Sequence, residues 1–316
     1  MRFLCLPGAY GSAKVITHHP KLKSKLTSPQ NFEVQLGTPS QVFTRPLRDL
    51  STNTNSAPFC KELSSDGNAE FFFTQGGVEC VPPPGFLDYC KSHPLLSSPT
   101  GEIRTEDPIF VYFLYRLSLM TQVGPAPHYR FIEYDGIEKN DVLERVRDFP
   151  EGENPEAVLR ELLPSGSDGI RSSVRAALDA IYATLETHGP FDGICAYSEG
   201  AVVGSTLIMD EKRRLEKEGR PRMIKRAVFF AGWPPLNLES NEMLLSDMSE
   251  ELVDVPTLHC IGADDPYLHG AMALFNICEQ DEAVLFDHGK GHTIPRDAQT
   301  VKELGDALRE LPEAKF

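Results

Sequence analysis

Ser198 lies in the stretch Phe191-Asp192-Gly193-Ile194-Cys195-Ala196-Tyr197-Ser198-Glu199-Gly200-Ala201-Val202, where an apolar run ends in a small-x-Ser-x-Gly turn and an amphipathic run follows. A serine hydroxyl is a weak nucleophile until a neighbouring base takes its proton, so this residue type in a strand–turn–helix context points to acyl transfer. Residues two before and two after such a serine must be small, because strand and helix pass close to each other. Here they are Ala196 and Gly200. The first is normally Gly, so the turn departs from the strict pattern by one methyl group. The following helix directs the positive end of its dipole at Ser198 and makes the Glu199 backbone N–H available to a developing oxyanion. The plain alternative is a serine that only caps the helix.

Such a nucleophile needs a histidine base, and the base needs an orienting acid. In chain order the acid should follow the serine and the histidine should follow the acid, each in a loop after a strand. Gly262-Ala263-Asp264-Asp265-Pro266 follows one apolar run, and Asp287-His288-Gly289-Lys290-Gly291-His292-Thr293-Ile294-Pro295 follows the next. Asp265 stands 67 residues after Ser198, and His292 stands 27 after Asp265. These intervals match about two strand–helix units and then one. Asp264 competes with Asp265 for the acid. Asp265 is favoured because Pro266 fixes the turn that follows it, which leaves Asp264 as a turn or capping residue. His288 competes with His292. His292 is favoured because Gly291 allows a close approach and Ile294-Pro295 fixes the loop. The second oxyanion donor is expected in the loop after the first strand, Leu6-Pro7-Gly8-Ala9-Tyr10-Gly11-Ser12. Ala9 N–H is the candidate, with Tyr10 the lesser one. Pro7 has no N–H to offer.

The elements that must position these residues are legible as short apolar runs alternating with amphipathic ones. Strands are expected at Arg2–Leu6, Ala69–Phe73, Gly193–Tyr197, Lys225–Ala231, Pro256–Ile261 and Ala283–Phe286. Their runs are nearly continuous, as for parallel strands covered on both faces. Helices are expected at about Asp168–His188, Glu199–Glu218, Leu268–Glu279 and Asp297–Leu311. In the first, Ile170, Val174, Ala177, Leu178, Ile181 and Leu185 recur at helical spacing. The expected fold class is therefore α/β, a mostly parallel central sheet with helices on both faces, in a single domain over 1–316. Two stretches break the rhythm. Residues 26–67 are rich in Ser, Thr, Asn and Pro and read as a long excursion. Residues 81–167 read either as a lid-like insertion or as solvated loop around the apolar run at 109–120. Within them, 133–161 carries ten acidic and four basic residues and reads as solvated surface.

Composition narrows the function classes. The chain has 316 residues and a formal net charge of −15, which argues against unassisted binding to nucleic acid or to an anionic membrane. The seven cysteines are odd in number and form no CxxC pair, so a zinc ribbon or redox centre is not expected. A reduced, cytoplasmic setting is the simplest account. No signal peptide is expected, because Pro7-Gly8 ends the first apolar run, and the run at 109–120, about 12 residues, is too short to span a bilayer.

Taken together, several segments resemble a known family. They are Phe3-Leu4-Cys5-Leu6-Pro7-Gly8, Phe71-Phe72-Phe73-Thr74-Gln75-Gly76 with Pro82-Pro83-Pro84-Gly85, and Ala196-Tyr197-Ser198-Glu199-Gly200-Ala201. Phe229-Phe230-Ala231-Gly232-Trp233-Pro234-Pro235, His259-Cys260-Ile261-Gly262-Ala263-Asp264-Asp265-Pro266 and Gly291-His292-Thr293-Ile294-Pro295 complete the set. The chain resembles the fungal-type serine hydrolases of the α/β-hydrolase superfamily, including esterases and thioesterases of polyketide biosynthetic clusters. The resemblance implies the α/β-hydrolase fold and places Ser198, Asp265 and His292 at the family's triad positions. It implies hydrolysis of an ester or thioester, no cofactor and no metal. It also implies a setting in secondary metabolism, with a small acyl substrate or an acyl chain borne by a polyketide synthase carrier protein as partner. Pro7 departs from the family's usual His before the Gly, and the 26–67 region is longer than usual. Phe110 and Phe113 in the 109–120 run are candidates for an acyl-pocket wall. An acyltransferase or lactonising enzyme with the same triad, and a non-catalytic binding protein of the same fold, are the alternatives. The densest basic cluster, Lys212-Arg213-Arg214, Lys217, Arg220 and Arg222, is a candidate for docking a carrier protein and reads first as a solvated helix face.

Overall fold

The computed structural model describes residues 1–9, 45–46, 57–65, 67, 69–80, 128–134, 153–162 and 168–315. In chain order the elements are β1 (Arg2–Leu6), β2 (Arg45–Pro46), α1 (Ala57–Ser64), β3 (Glu70–Phe73), β4 (Val78–Cys80), β5 (His128–Arg130), α2 (Pro155–Leu162), α3 (Asp168–His188), β6 (Gly193–Tyr197), α4 (Glu199–Glu218), β7 (Ala227–Phe230), β8 (Leu236–Asn237), β9 (Glu242–Met243), β10 (Thr257–Ile261), α5 (Leu268–Asn276), β11 (Ala283–Asp287) and α6 (Ala298–Glu310). The central sheet runs β11-β10-β7-β6-β1-β3-β2. Its pairings are parallel except at β2, which lies antiparallel to β3 at one edge. This is the α/β-hydrolase fold.

The pleat of the strands explains the two layers of helices. On β1, β6 and β7, Leu4, Leu6, Ile194, Ala196, Ala227 and Phe229 pack with Val174, Leu178 and Ile181 of α3 and Val203 and Leu207 of α4. The alternate residues, Phe3, Cys5, Cys195, Val228 and Phe230, pack on the other face with Phe59 and Leu63 of α1 and Val301, Leu304 and Leu308 of α6. Each buried Leu or Phe side chain stabilises the fold by roughly 1.5–3 kcal/mol relative to exposure. Both faces of β1 and β6 are thus covered, which is why their sequences read as continuous apolar runs. The last strand differs from the expectation. Val284 and Leu285 of β11 are 42% and 41% exposed, because β11 is the sheet's edge and pairs only with β10 among the described residues.

Two boundaries are set by tertiary contacts. Helical periodicity carries α5 to Glu279, yet the helix stops at Asn276. Ile277 C=O accepts from Val253 N–H at 3.0 Å, and Glu279 N–H donates to Val253 C=O at 2.9 Å. A local bridge to a distant segment therefore replaces the last helical turn. The 26–67 region is likewise more than an excursion where it is described. α1 lies within it, with Phe59 and Leu63 each 1% exposed, and packs against α6.

Of the 81–167 region, only 128–134 and 153–162 are described. The run at 109–120, with Phe110 and Phe113, lies outside the described residues. The acidic stretch is not wholly solvated. Glu156 at the start of α2 is buried and accepts from Ser246 Oγ at 2.8 Å and Asn276 Nδ2 at 2.9 Å. Val158 and Leu159 beside it are buried against Leu245 and Ala273. Among the described residues no helix is long and apolar enough to cross a membrane.

Candidate active site

Four loops leave the carboxyl ends of β1, β6, β10 and β11 and meet on one side of the sheet, where open α/β folds place their ligands. Ser198 sits between β6 and α4 with φ 53° and ψ −121°, a conformation that costs a non-glycine residue roughly 1–3 kcal/mol. Its side chain makes no capping hydrogen bond to the helix, so the simple cap reading does not describe it. Its backbone is held from below by Ser198 N–H donating to Phe230 C=O at 2.9 Å.

The acid and base loops rest on each other. Gly262 has no room for a side chain, since a Cβ there would stand 1.7 Å from Lys290 C=O. Asp287, which sequence reasoning did not single out, accepts from Ala263 N–H at 3.0 Å and from Gly289 N–H at 2.8 Å. Its position at the end of β11 is the available signal. These contacts bring the residues expected from sequence together. Ser198 Oγ lies 3.0 Å from His292 Nε2, and His292 Nδ1 lies 2.8 Å from Asp265 Oδ2. Asp265 and His292 are 5% and 7% exposed, so water competes little for either bond. Asp265 Oδ1 also accepts Tyr267 N–H at 2.8 Å. Asp264 is exposed and donates its N–H to Lys290 C=O at 3.2 Å, as a turn residue would. His288 is half-buried beside the site, and burial pushes its imidazole pKa down. Its ring bonds to neither Ser198 nor an acid among the described residues.

Two tyrosines flank the His292 ring. Tyr267 meets it edge-on with centroids 4.8 Å apart, and Tyr197 lies at 5.2 Å. Tyr197 Oη also donates to His292 C=O at 3.1 Å, tying the base loop to the nucleophile turn. The sequence placed Tyr197 only as the residue before the serine, and a hydroxyl contact 95 positions away leaves no local signal. Trp233 continues the aromatic series beside Tyr267 at 6.4 Å.

The first loop packs closely on the start of α4, where the oxyanion donors are expected. A Cβ at Gly200 would stand 2.4 Å from Leu6 C=O and 2.5 Å from Pro7 C=O. Gly8 sits against the Ser198 side chain, so the Gly8–Ala9 turn lies at the nucleophile. Ala201 N–H turns back to Ser198 C=O at 2.9 Å, while the Glu199 N–H at the helix start has no acceptor within the helix. Replacing Gly200 with Ala must push the backbone of Leu6 and Pro7 away from α4. We expect that change to lower stability by about 1–3 kcal/mol in urea unfolding and to depress kcat, because the displaced loop carries Ala9. An unchanged midpoint and kcat would refute this account of the packing.

Among the described residues no group of three or more His, Cys, Asp or Glu could hold a metal ion. The arrangement can deprotonate a serine, hold an imidazolium and accept a negative oxygen at a helix start, which are the requirements of acyl transfer.

Comparison with known proteins shows the family. Residues 139–304 match the model of a family described as serine hydrolase (FSH1). Hydrolase phiM from a fungal species is 25% identical over 195 residues, spanning 61% of this chain and 88% of that protein. Esterase FPY3 of Fusarium mangiferae is 30% identical over 146 residues, spanning 44% of this chain and 65% of that protein. Family of serine hydrolases 2 of Saccharomyces cerevisiae is 28% identical over 227 residues, spanning 70% of this chain and 94% of that protein.

Proposed function

The chain belongs to the serine hydrolase (FSH1) family, and from that premise we propose that it hydrolyses a carboxylic ester or thioester through an acyl-enzyme on Ser198. The observation that carries the reading is the hydrogen-bonded series Ser198 Oγ, His292, Asp265, with links of 3.0 and 2.8 Å. In this reading His292 Nε2 takes the hydroxyl proton as Oγ attacks the carbonyl carbon. Asp265 holds Nδ1–H and so fixes the tautomer that leaves Nε2 free to accept. The carbonyl oxygen gains the negative charge and is met by the N–H groups of Glu199 and Ala9. The imidazolium then returns its proton to the departing alcohol or thiol. Water, deprotonated by the same nitrogen, adds to the acyl-enzyme and releases the acid and Ser198 Oγ–H.

The acyl group is the finer part of the proposal. A polyketide-type chain presented in secondary metabolism, free or on an acyl carrier protein, rests on the resemblance of the segments quoted above. The basic cluster on and after α4 does not add to it. Lys212 and Arg222 pair with Asp254, Arg213 with Glu251, Arg214 with Asp210, Lys217 with Glu239 and Arg220 with Glu218. A cytoplasmic, reducing setting is supported by six free cysteines among the described residues, five of them buried.

The test is a panel of acyl esters and matched acyl thioesters of increasing chain length, assayed for free acid. We expect release from both leaving groups, because the oxyanion donors address the carbonyl and not the leaving atom, with a chain-length optimum in kcat/KM. No acid from any member, with acyl transfer to added alcohols instead, would replace hydrolysis by acyl transfer.

A further inference from the structure

The Glu199 side chain has no part in the scheme above, although its backbone does. The carboxylate is buried, 8% exposed, and stands directly beside the nucleophile. It accepts Phe131 N–H at 2.6 Å, and the nearby Ile132 N–H and Tyr134 hydroxyl favour its ionised form. One segment, 131–134, thus supplies the groups that face this carboxylate. The segment they belong to continues from β5, which pairs with β4, and Glu133 N–H donates to Ser173 Oγ of α3 at 2.8 Å. Glu199 is thus the point at which this segment is fastened to the nucleophile turn.

We propose that the ionised Glu199 carboxylate is a positioning residue, which clamps the 131–134 segment to the start of α4 and thereby fixes the Ser198–Glu199 peptide in the orientation that presents its N–H to the oxyanion. The proposal rests on Ser198 being the nucleophile. The physical argument has two parts. Side chain and peptide share one Cα, so anchoring the carboxylate on Phe131 N–H limits rotation of the peptide beside it, where Ser198 already sits at φ 53°. Protonation removes an acceptor and sets an O–H against a buried N–H, which leaves that N–H unsatisfied. Burial pushes the Glu199 pKa up to about 7, against the pull of its hydrogen bonds and of the Arg130 guanidinium. Arg130 is itself paired with Glu133 at 2.9 Å, and Tyr134 is the other titratable group bearing on the carboxylate. The ionised fraction, and with it the clamp, grows as pH rises through neutrality.

The experiment is the pH profile of kcat/KM for an activated ester, in the wild type, Glu199→Gln and Tyr134→Phe, with active sites counted by fluorophosphonate labelling and melting temperature recorded. His292 must be neutral to act as base, so the wild type should lose activity on the acid side with a slope exceeding one, from two protons. Glu199→Gln should show a slope of one and a kcat about tenfold lower at pH 8, with KM little changed. Tyr134→Phe removes a donor to the ionised form, so the limb due to Glu199 should move to higher pH. A Glu199→Gln profile that keeps the wild-type slope and kcat per labelled site overturns the proposal, even if the melting temperature falls. Should Glu199→Gln not fold, an unmoved limb in Tyr134→Phe overturns it. A wild type that hydrolyses the ester yet resists labelling removes the Ser198 reading and this one together, whereas normal labelling with unchanged profiles removes this one alone.

Discussion

Replacing Ser198 with Ala is expected to lower kcat by roughly 10⁴- to 10⁶-fold and to abolish fluorophosphonate labelling. The magnitude follows from the unit action of nucleophile and base. Without Oγ, His292 has no proton to take at 3.0 Å, and only oxyanion stabilisation and substrate positioning are left. The substitution removes one oxygen from a partly exposed residue at a turn already held by its backbone, so the fold should persist. A melting temperature near that of the wild type with activity lost would separate chemistry from stability. Retained labelling in Ser198→Ala would move the nucleophile elsewhere and end the acyl-enzyme reading.

Asp265→Asn is expected to cost about 10⁴-fold in kcat, while Asp264→Asn should change it less than threefold or so. The two carboxylates are neighbours in sequence and differ in surroundings. Asp265 is 5% exposed and bonds His292 Nδ1 at 2.8 Å, whereas Asp264 is exposed in the turn. An amide at 265 can present N–H to Nδ1, which stabilises the tautomer with its proton on Nε2, unable to accept from Ser198. Comparison of kcat for the two variants, with KM as control, checks the assignment. A larger loss in Asp264→Asn would transfer the orienting role to Asp264 and contradict the geometry.

The strands and helices that carry these residues were legible because each is a short, nearly unbroken apolar run or a strongly periodic one. Gly193–Tyr197 and Glu199–Glu218 form over the expected spans, and the turn between them was marked by the small residues Ala196 and Gly200. Thr257–Ile261 and Ala283–Asp287 start and end within a residue of expectation for the same reason. Failures fell where a distant partner decides. Cys278 leaves its helix for a bridge to Val253, β11 exposes apolar residues as the sheet edge, and Glu156 is buried inside a stretch whose charge reads as surface. Local periodicity carries no information about which segment will pair with a helix end or cover an acid.

The site divides along the same line. The residue types, their order Ser, Asp, His, and their place just after strands are local properties, because steric demands at a tight strand–helix turn act between near neighbours. The contacts among them come from the packing of distant loops on one another. The choice of Asp265 and His292 over Asp264 and His288 as hydrogen-bonding partners is fixed by parallel strand register, which sets Ile261 beside Asp287 and the acid loop against the base loop. The Tyr197 hydroxyl on His292 C=O and the Glu199 carboxylate on Phe131 N–H join positions 95 and 68 residues apart, and a chain brings such groups within about 3 Å only through its tertiary fold.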